Sequence, residues 1–253
     1  MSSATLLQIR VRLLGTIGVL ASLTAGVSVA KAIDDEQRVL SFPKDRAVGV
    51  ISYRSADGSD FGFESNPYVD WGDEGEATGD VVIPADQHVR LEISKAASTD
   101  LSFLSDLNPN DVEYLGLRGT DVDDKQLKHV GTLTGLRYLN LQSTRISDGG
   151  VRHLKDLNKL QTLDLSAFSV ERDGYGVGNA AMIIAARLPS LEALRLRLTK
   201  VTDGGMENIA KSKSLKSLSV PGTKVTDAGL AHLRSLKTLT DNDDDDELMM
   251  IMN

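Results

Sequence analysis

Three histidines, His129, His153 and His232, sit at one point of a recurring pattern. A column of imidazoles could hold a divalent metal, since zinc takes histidine nitrogen at about 2 Å. Spacing argues against it. Each histidine falls in a stretch patterned as a helix, and neighbouring helices pack about 8–10 Å apart, too far for shared ligation. They read as helix-surface residues, and no metal or cofactor is expected. The acidic run Asp241–Glu247 suggests calcium. It lacks the spaced acids, central glycine and closing glutamate of a calcium loop, and reads as a solvated tail. No serine-nucleophile elbow, H-E-x-x-H, phosphate-cradling loop or dinucleotide fingerprint occurs. The chain has no cysteine, which removes disulfides, thiol catalysis and Cys-ligated zinc. The chain is therefore expected not to be an enzyme.

Contact chemistry is better represented. Short stretches alternate apolar and polar residues at period two, the mark of a strand with one buried face. Their outward positions would be Arg90, Glu92, Tyr114, Arg118, Tyr138, Asn140, Gln142, Thr162, Asp164, Arg195, Arg197, Ser217 and Ser219. Tyrosine and arginine are the types enriched at interface hot spots. The expected binding set is Arg90, Tyr114, Arg118, Tyr138, Asn140, Gln142, Asp164, Arg195 and Arg197, with Tyr175 from a nearby loop. Arg195 and Arg197 should both project to solvent, with Asp164 on the adjacent strand holding them in place.

The elements that position these residues recur. One pattern opens at His88, Val112, Leu136, Leu160, Leu191 and Leu215, at steps of 24 residues except for one step of 31. Units of this length bury their apolar faces only against their neighbours. The extra residues lie in the fourth unit, within Phe168–Asn179, where Asp173, Gly174, Gly176 and Gly178 predict a loop. The fourth and sixth positions of each unit, such as Leu139 and Leu141 or Leu163 and Leu165, should point into the core.

The pattern L-x-x-L-x-L-x-x-T-x-V-T-D-x-G-L-x-x-L resembles the leucine-rich repeat, over roughly residues 88–239. Its length and helical second half are most similar to the bacterial and ribonuclease-inhibitor-like variants. The resemblance implies an α/β fold, a curved solenoid with a parallel concave sheet and convex helices, and a ligand on the concave face. At the ninth position stand Thr120, Thr144, Thr199 and Thr223, where the family often uses asparagine to bond the turning backbone. Asp123, Ser147, Thr202 and Thr226 follow as helix N-caps, each with an acidic neighbour at the positive end of the helix dipole. The helices should bury pairs such as Val151 and Leu154, or Leu230 and Leu233.

Residues 33–87 do not repeat and predict a small β cap over the first unit. Strands are expected at Ala47–Tyr53, Phe61–Phe63, Asp80–Pro84 and His88–Ile93, the last two as a hairpin, with turns at Asp57–Gly58 and Asp73–Gly79. Residues 240–253 form an acidic tail, in which Leu248–Met252 could fold back onto the last unit. Residues 1–32 read as a signal peptide or N-terminal anchor: Arg10 and Arg12, then the uncharged stretch Leu13–Ala30, then Ala30-Lys31-Ala32 before Ile33. Charge is divided. Residues 33–87 carry 13 acidic and 4 basic side chains, whereas the repeats carry 21 basic and 17 acidic. That mild excess falls short of the basic stripe nucleic-acid binding needs.

The sequence thus predicts an exported, extracytoplasmic, non-catalytic scaffold that binds a protein. Membrane contact is expected only through an uncleaved N-terminal segment. An envelope or extracellular carbohydrate, or a role as a regulatory or targeting module of an enzyme assembly, are the alternatives.

Overall fold

A computed structural model describes residues 37–55, 71–168 and 176–236. The expected strand Phe61–Phe63, the turn Asp57–Gly58, the residue Tyr175, the N-terminal segment and the acidic tail lie outside them.

Chain order gives β1 (Gln37–Ser41), β2 (Gly49–Ser55), β3 (Asp73–Glu76), β4 (Asp80–Pro84) and β5 (Gln87–Ile93). Strands and helices then alternate: β6 (Tyr114–Gly116), α1 (Leu127–Val130), β7 (Tyr138–Asn140), α2 (Asp148–Val151), β8 (Thr162–Asp164), α3 (Asn179–Ala185), β9 (Ala193–Arg195), α4 (Asp203–Ile209), β10 (Ser217–Ser219) and α5 (Asp227–Leu233). Strands β5 to β10 form a parallel run in which each pairs with the next. Register aligns Arg90 with Tyr114, Tyr138 and Thr162, then with Ala193 and Ser217.

The core lies between sheet and helices. Leu139, Leu141, Leu163 and Leu165 are at most 3% exposed, as the alternation predicts. Val151 and Leu154 are buried under α2, but Leu230 and Leu233 are only half-buried. They belong to the sixth unit, which among the described residues has no further unit stacked on it.

Two side-chain ladders recur along the repeats, the first within single units. The hydroxyls of Thr120, Thr144, Thr199 and Thr223 donate to the carbonyls of Leu117, Leu141, Leu196 and Val220 at 2.6–2.8 Å. The second ladder crosses between units. Asp124 accepts from the Ser147 N–H at 2.7 Å and from its hydroxyl. Asp148 accepts from Gly178 and Ala181, and Asp203 accepts from the Thr226 N–H and hydroxyl. Asn179 makes the equivalent pair toward Thr202, its Oδ1 accepting from the Thr202 N–H at 2.9 Å and its Nδ2 donating to the Thr202 hydroxyl at 2.8 Å. These side chains therefore serve the next unit's helix start, not the dipole of their own helix alone. Ser147 and Thr226 also cap their helices as expected, but Thr202 makes no side-chain cap bond. The ladder explains a glycine: a Cβ on Gly150 would meet the Asp124 carboxylate at 2.5 Å.

The N-terminal segment corrects two expectations. β4 and β5 do not form a hairpin: β4 pairs antiparallel with β1, and β5 with β2. Close approach is the reason β2 fits there, since a Cβ on Gly49 would clash with the Glu92 carbonyl. Residues 73–76 form strand β3 on the outer side of β2, not a turn. The exposed side chains of Glu74 and Glu76 suit a sheet edge, where charge discourages further pairing.

Candidate binding face

The sheet face turned away from the helices carries the outward residues of β5 to β10. Short strands fix them there: Leu91, Leu115, Leu139, Leu163 and Leu194 fill the opposite face and are 0–1% exposed.

This face is not uniformly open. Tyr114 and Tyr138 are 3% and 2% exposed, and with Trp71 they form a second, small apolar cluster outside the main core. Their rings stack at 4.3 Å between centroids, nearly parallel at 7°. Trp71 meets Tyr114 edge-on at 5.6 Å. Arg90 lies 4.9 Å from the Tyr114 ring and 5.8 Å from Trp71, and Arg54 lies 4.8 Å from Trp71. Arg90 is further committed to Glu92 at 2.7 Å. The expectation that Arg90, Tyr114 and Tyr138 offer themselves to a ligand is thus corrected. Offset aromatic pairs gain energy beyond their area when water is excluded, so the N-terminal segment covers what looked like exposed contact residues.

Burial pushes both phenols up. For Tyr114 the nearby Glu92 carboxylate adds to that push, while for Tyr138 the Arg195 guanidinium opposes it. Glu113 is also pushed up by burial, against the pull of its bond from the Val89 N–H at 2.7 Å.

Asp164 is corrected as well. It is 7% exposed, and its carboxylate accepts from the Ser166 N–H at 2.9 Å. No ion pair joins it to Arg195 or Arg197 among the described residues. A short carboxylate one strand position from a turning backbone bonds locally before it can reach a long arginine. Asn140 does the same toward the Gln142 N–H at 3.0 Å.

The accessible remainder is Asn140, Gln142, Arg195, Ser217 and Ser219, half-buried, with Arg118 and Arg197 exposed. Arg118 reaches across the third unit to place its guanidinium 5.4 Å from the Phe168 ring. Phe168 is 61% exposed, the most exposed large apolar residue described. The sequence reading passed over Phe168 and Trp71. Phe168 breaks the threonine column, a signal visible in the repeat alignment. Trp71 lies in a non-repeating stretch, so no register pointed to it. His129, His153 and His232 lie on the helix side, in α1, after α2 and in α5.

The family model described as a leucine-rich repeat matches residues 133–155 and 187–210. The chain contains leucine-rich repeats. Both matched stretches carry a strand and the turn leading to a helix, so the leucine-rich repeats include the units that bear Asn140, Gln142, Arg195 and Arg197. No curated protein matches the chain. Leucine-rich repeats generally mediate protein binding and are typically non-catalytic.

Proposed function

We propose that the chain is an exported, non-catalytic scaffold that binds a protein on the helix-free face of its sheet, over the third to sixth repeats. The observation that supports it is the accessible polar row of Asn140, Gln142, Arg195, Arg197, Ser217 and Ser219, which begins where the cluster of Trp71, Tyr114 and Tyr138 ends. Strands stack about 4.8 Å apart and helices about 8–10 Å, so the repeats curve and this face is the concave one. Arg195 at the end of β9 and Arg197 just beyond it favour a ligand with carboxylates facing them, because guanidinium pairs bidentately with carboxylate. A carbohydrate ligand is less favoured: sugar platforms need open aromatic faces, and Tyr114 and Tyr138 are buried.

Export rests on the N-terminal pattern of Arg10, Arg12, the uncharged stretch to Ala30 and the Ala30-Lys31-Ala32 site. No helix among the described residues is long and apolar enough to cross a membrane.

Crosslinking with mass spectrometry on cells of the native source identifies the partner. Arg195→Ala with Arg197→Ala should then weaken its binding by about ten-fold or more, as loss of central arginine contacts does. Arg152→Ala with Lys155→Ala, on the helix side, should leave it unchanged. Equal affinity of the two double variants overturns the proposal.

A further inference from the structure

The fourth repeat lacks a rung. In the second, third, fifth and sixth repeats, the residue before the ladder threonine has a left-handed backbone: Gly119 (φ 69°), Ser143 (φ 60°), Leu198 (φ 57°) and Gly222 (φ 69°). That turn aims the threonine back at its own strand's carbonyl. The fourth repeat has Ala167 there, outside the left-handed region, and Phe168 in place of the threonine. Phe168 turns outward. A cavity of about 140 Å³ remains between Thr144 and Thr199, lined by Leu141, Ile146, Leu165, Val177 and Leu198.

Three features set it apart from a packing defect. First, its two flanking turns are held by non-glycine residues with positive φ, Ser143 and Leu198, the only two among the described residues. Such strain concentrates at functional positions. Second, Ser143 is 9% exposed and its Oγ has no hydrogen-bond partner, an orphan on the cavity wall. Third, the charged side chains described around it are cationic. Lys200 lines the cavity, Arg118 covers Phe168, and Arg197 extends the strand beside Ala167, whose N–H donates to the Arg197 carbonyl at 2.8 Å. Among the described residues no carboxylate pairs with any of these three cations. The backbone around the cavity is sound: Gly176 donates to Ile146 at 3.0 Å and Lys200 to Val177 at 2.9 Å, as equivalent residues do in other repeats.

We propose that this cavity is the anchor pocket for an acidic peptide segment of a partner protein, taking one leucine-sized aliphatic side chain while flanking carboxylates meet Arg118, Arg197 and Lys200. The proposal rests on the protein-binding reading above and deepens it by naming the ligand's chemistry. An apolar pocket of this size fits a branched aliphatic side chain, and the exposed cations speed and orient the encounter.

The probe is a fluorescein-labelled peptide of aspartates flanking a central leucine, followed by anisotropy with the full chain. It should bind, and replacing its leucine by alanine should weaken binding about ten-fold, the discrimination expected of a hydrophobic pocket. Ala167→Gly with Phe168→Thr, which supplies both the turn and the hydroxyl of the missing rung, and Ala167→Leu, which fills the space, should each abolish it without lowering Tm. Arg197→Glu with Lys200→Glu, both exposed, tests the charge arm if the pocket variants fold poorly: it should weaken the acidic probe and favour a lysine-flanked one. No binding to the parent chain, or equal affinity for the leucine and alanine peptides, overturns the proposal. Probe binding that survives both the Ala167→Gly, Phe168→Thr variant and Ala167→Leu but is lost in the Arg195→Ala, Arg197→Ala variant overturns the pocket and leaves the wider face reading intact. The partner identified by crosslinking decides that wider reading separately.

Discussion

At the scale of single residues, hydroxyl and phenol placement makes two measurable demands. Thr199 donates to the Leu196 carbonyl at 2.7 Å and is 4% exposed. Thr199→Val keeps the shape and removes the bond, so it should cost about 1 kcal/mol in urea unfolding. Thr223→Val, at a half-buried rung, should cost less. Tyr114 and Tyr138 hold their protons above the ordinary tyrosine value of 10.0 because burial disfavours the phenolate. The unfolded chain releases those protons first as pH rises. Their contribution is therefore complete below about pH 10 and declines above it, toward the raised folded values. Phenolate absorbance should show these two rings ionising together with alkaline unfolding, whereas Tyr114→Phe should remove one late-titrating ring. A smooth titration of every tyrosine near its ordinary value would contradict the stack. Little of this was legible in the sequence. Alternation placed Tyr114 and Tyr138 on the outward face, and that was right. It could not show that Trp71 covers them, because a contact from outside the repeat leaves no periodic trace.

At the scale of elements, the cross-repeat carboxylates predict how damage spreads. Asp148 bonds the Gly178 and Ala181 N–H groups, the start of α3, immediately after the fourth repeat's extra residues. Asp148→Ala should cost about 1 kcal/mol, the usual value of a lost helix-start acceptor. Hydrogen exchange should quicken first in 178–185. Leu141→Asp, at 1% exposure, strands a charge between layers and should cost several kcal/mol. A variant that melts like the parent would mean that the strand register is wrong. Strands and core were readable here because they obey a period of two inside a longer repeat. The acid after each cap was seen, but its partner was not. A sequence pattern fixes which residue starts a helix, while the reach of its carboxylate into the next unit depends on how closely the units stack.

At the scale of the whole molecule, the non-repeating stretch was read least well. A hairpin was the local choice, since Ala85-Asp86-Gln87 joins the strand-like runs Asp80–Pro84 and His88–Ile93. The observed pairing instead sends β5 to β2, where seven residues of β2 find partners along the full edge. Long-range pairing of this kind has no short-range signature. Export remains a matter of the N-terminus. N-terminal sequencing of the purified native protein should begin at Ile33 or Lys31, and recovery of Met1 in a soluble cytoplasmic fraction would defeat it.

Trp71 is the chain's one tryptophan. Its indole touches Tyr114 and lies 4.8 and 5.8 Å from two guanidinium groups, those of Arg54 on β2 and Arg90 on β5. The molecule therefore contains a built-in optical reporter with a restricted field of view. Its emission senses whether that cluster is closed and is blind to the far repeats. Circular dichroism senses every repeat. If the two signals fade together on heating, the array melts as one body. If the far repeats peel away first, ellipticity will fall while the indole still glows as it does in the native state.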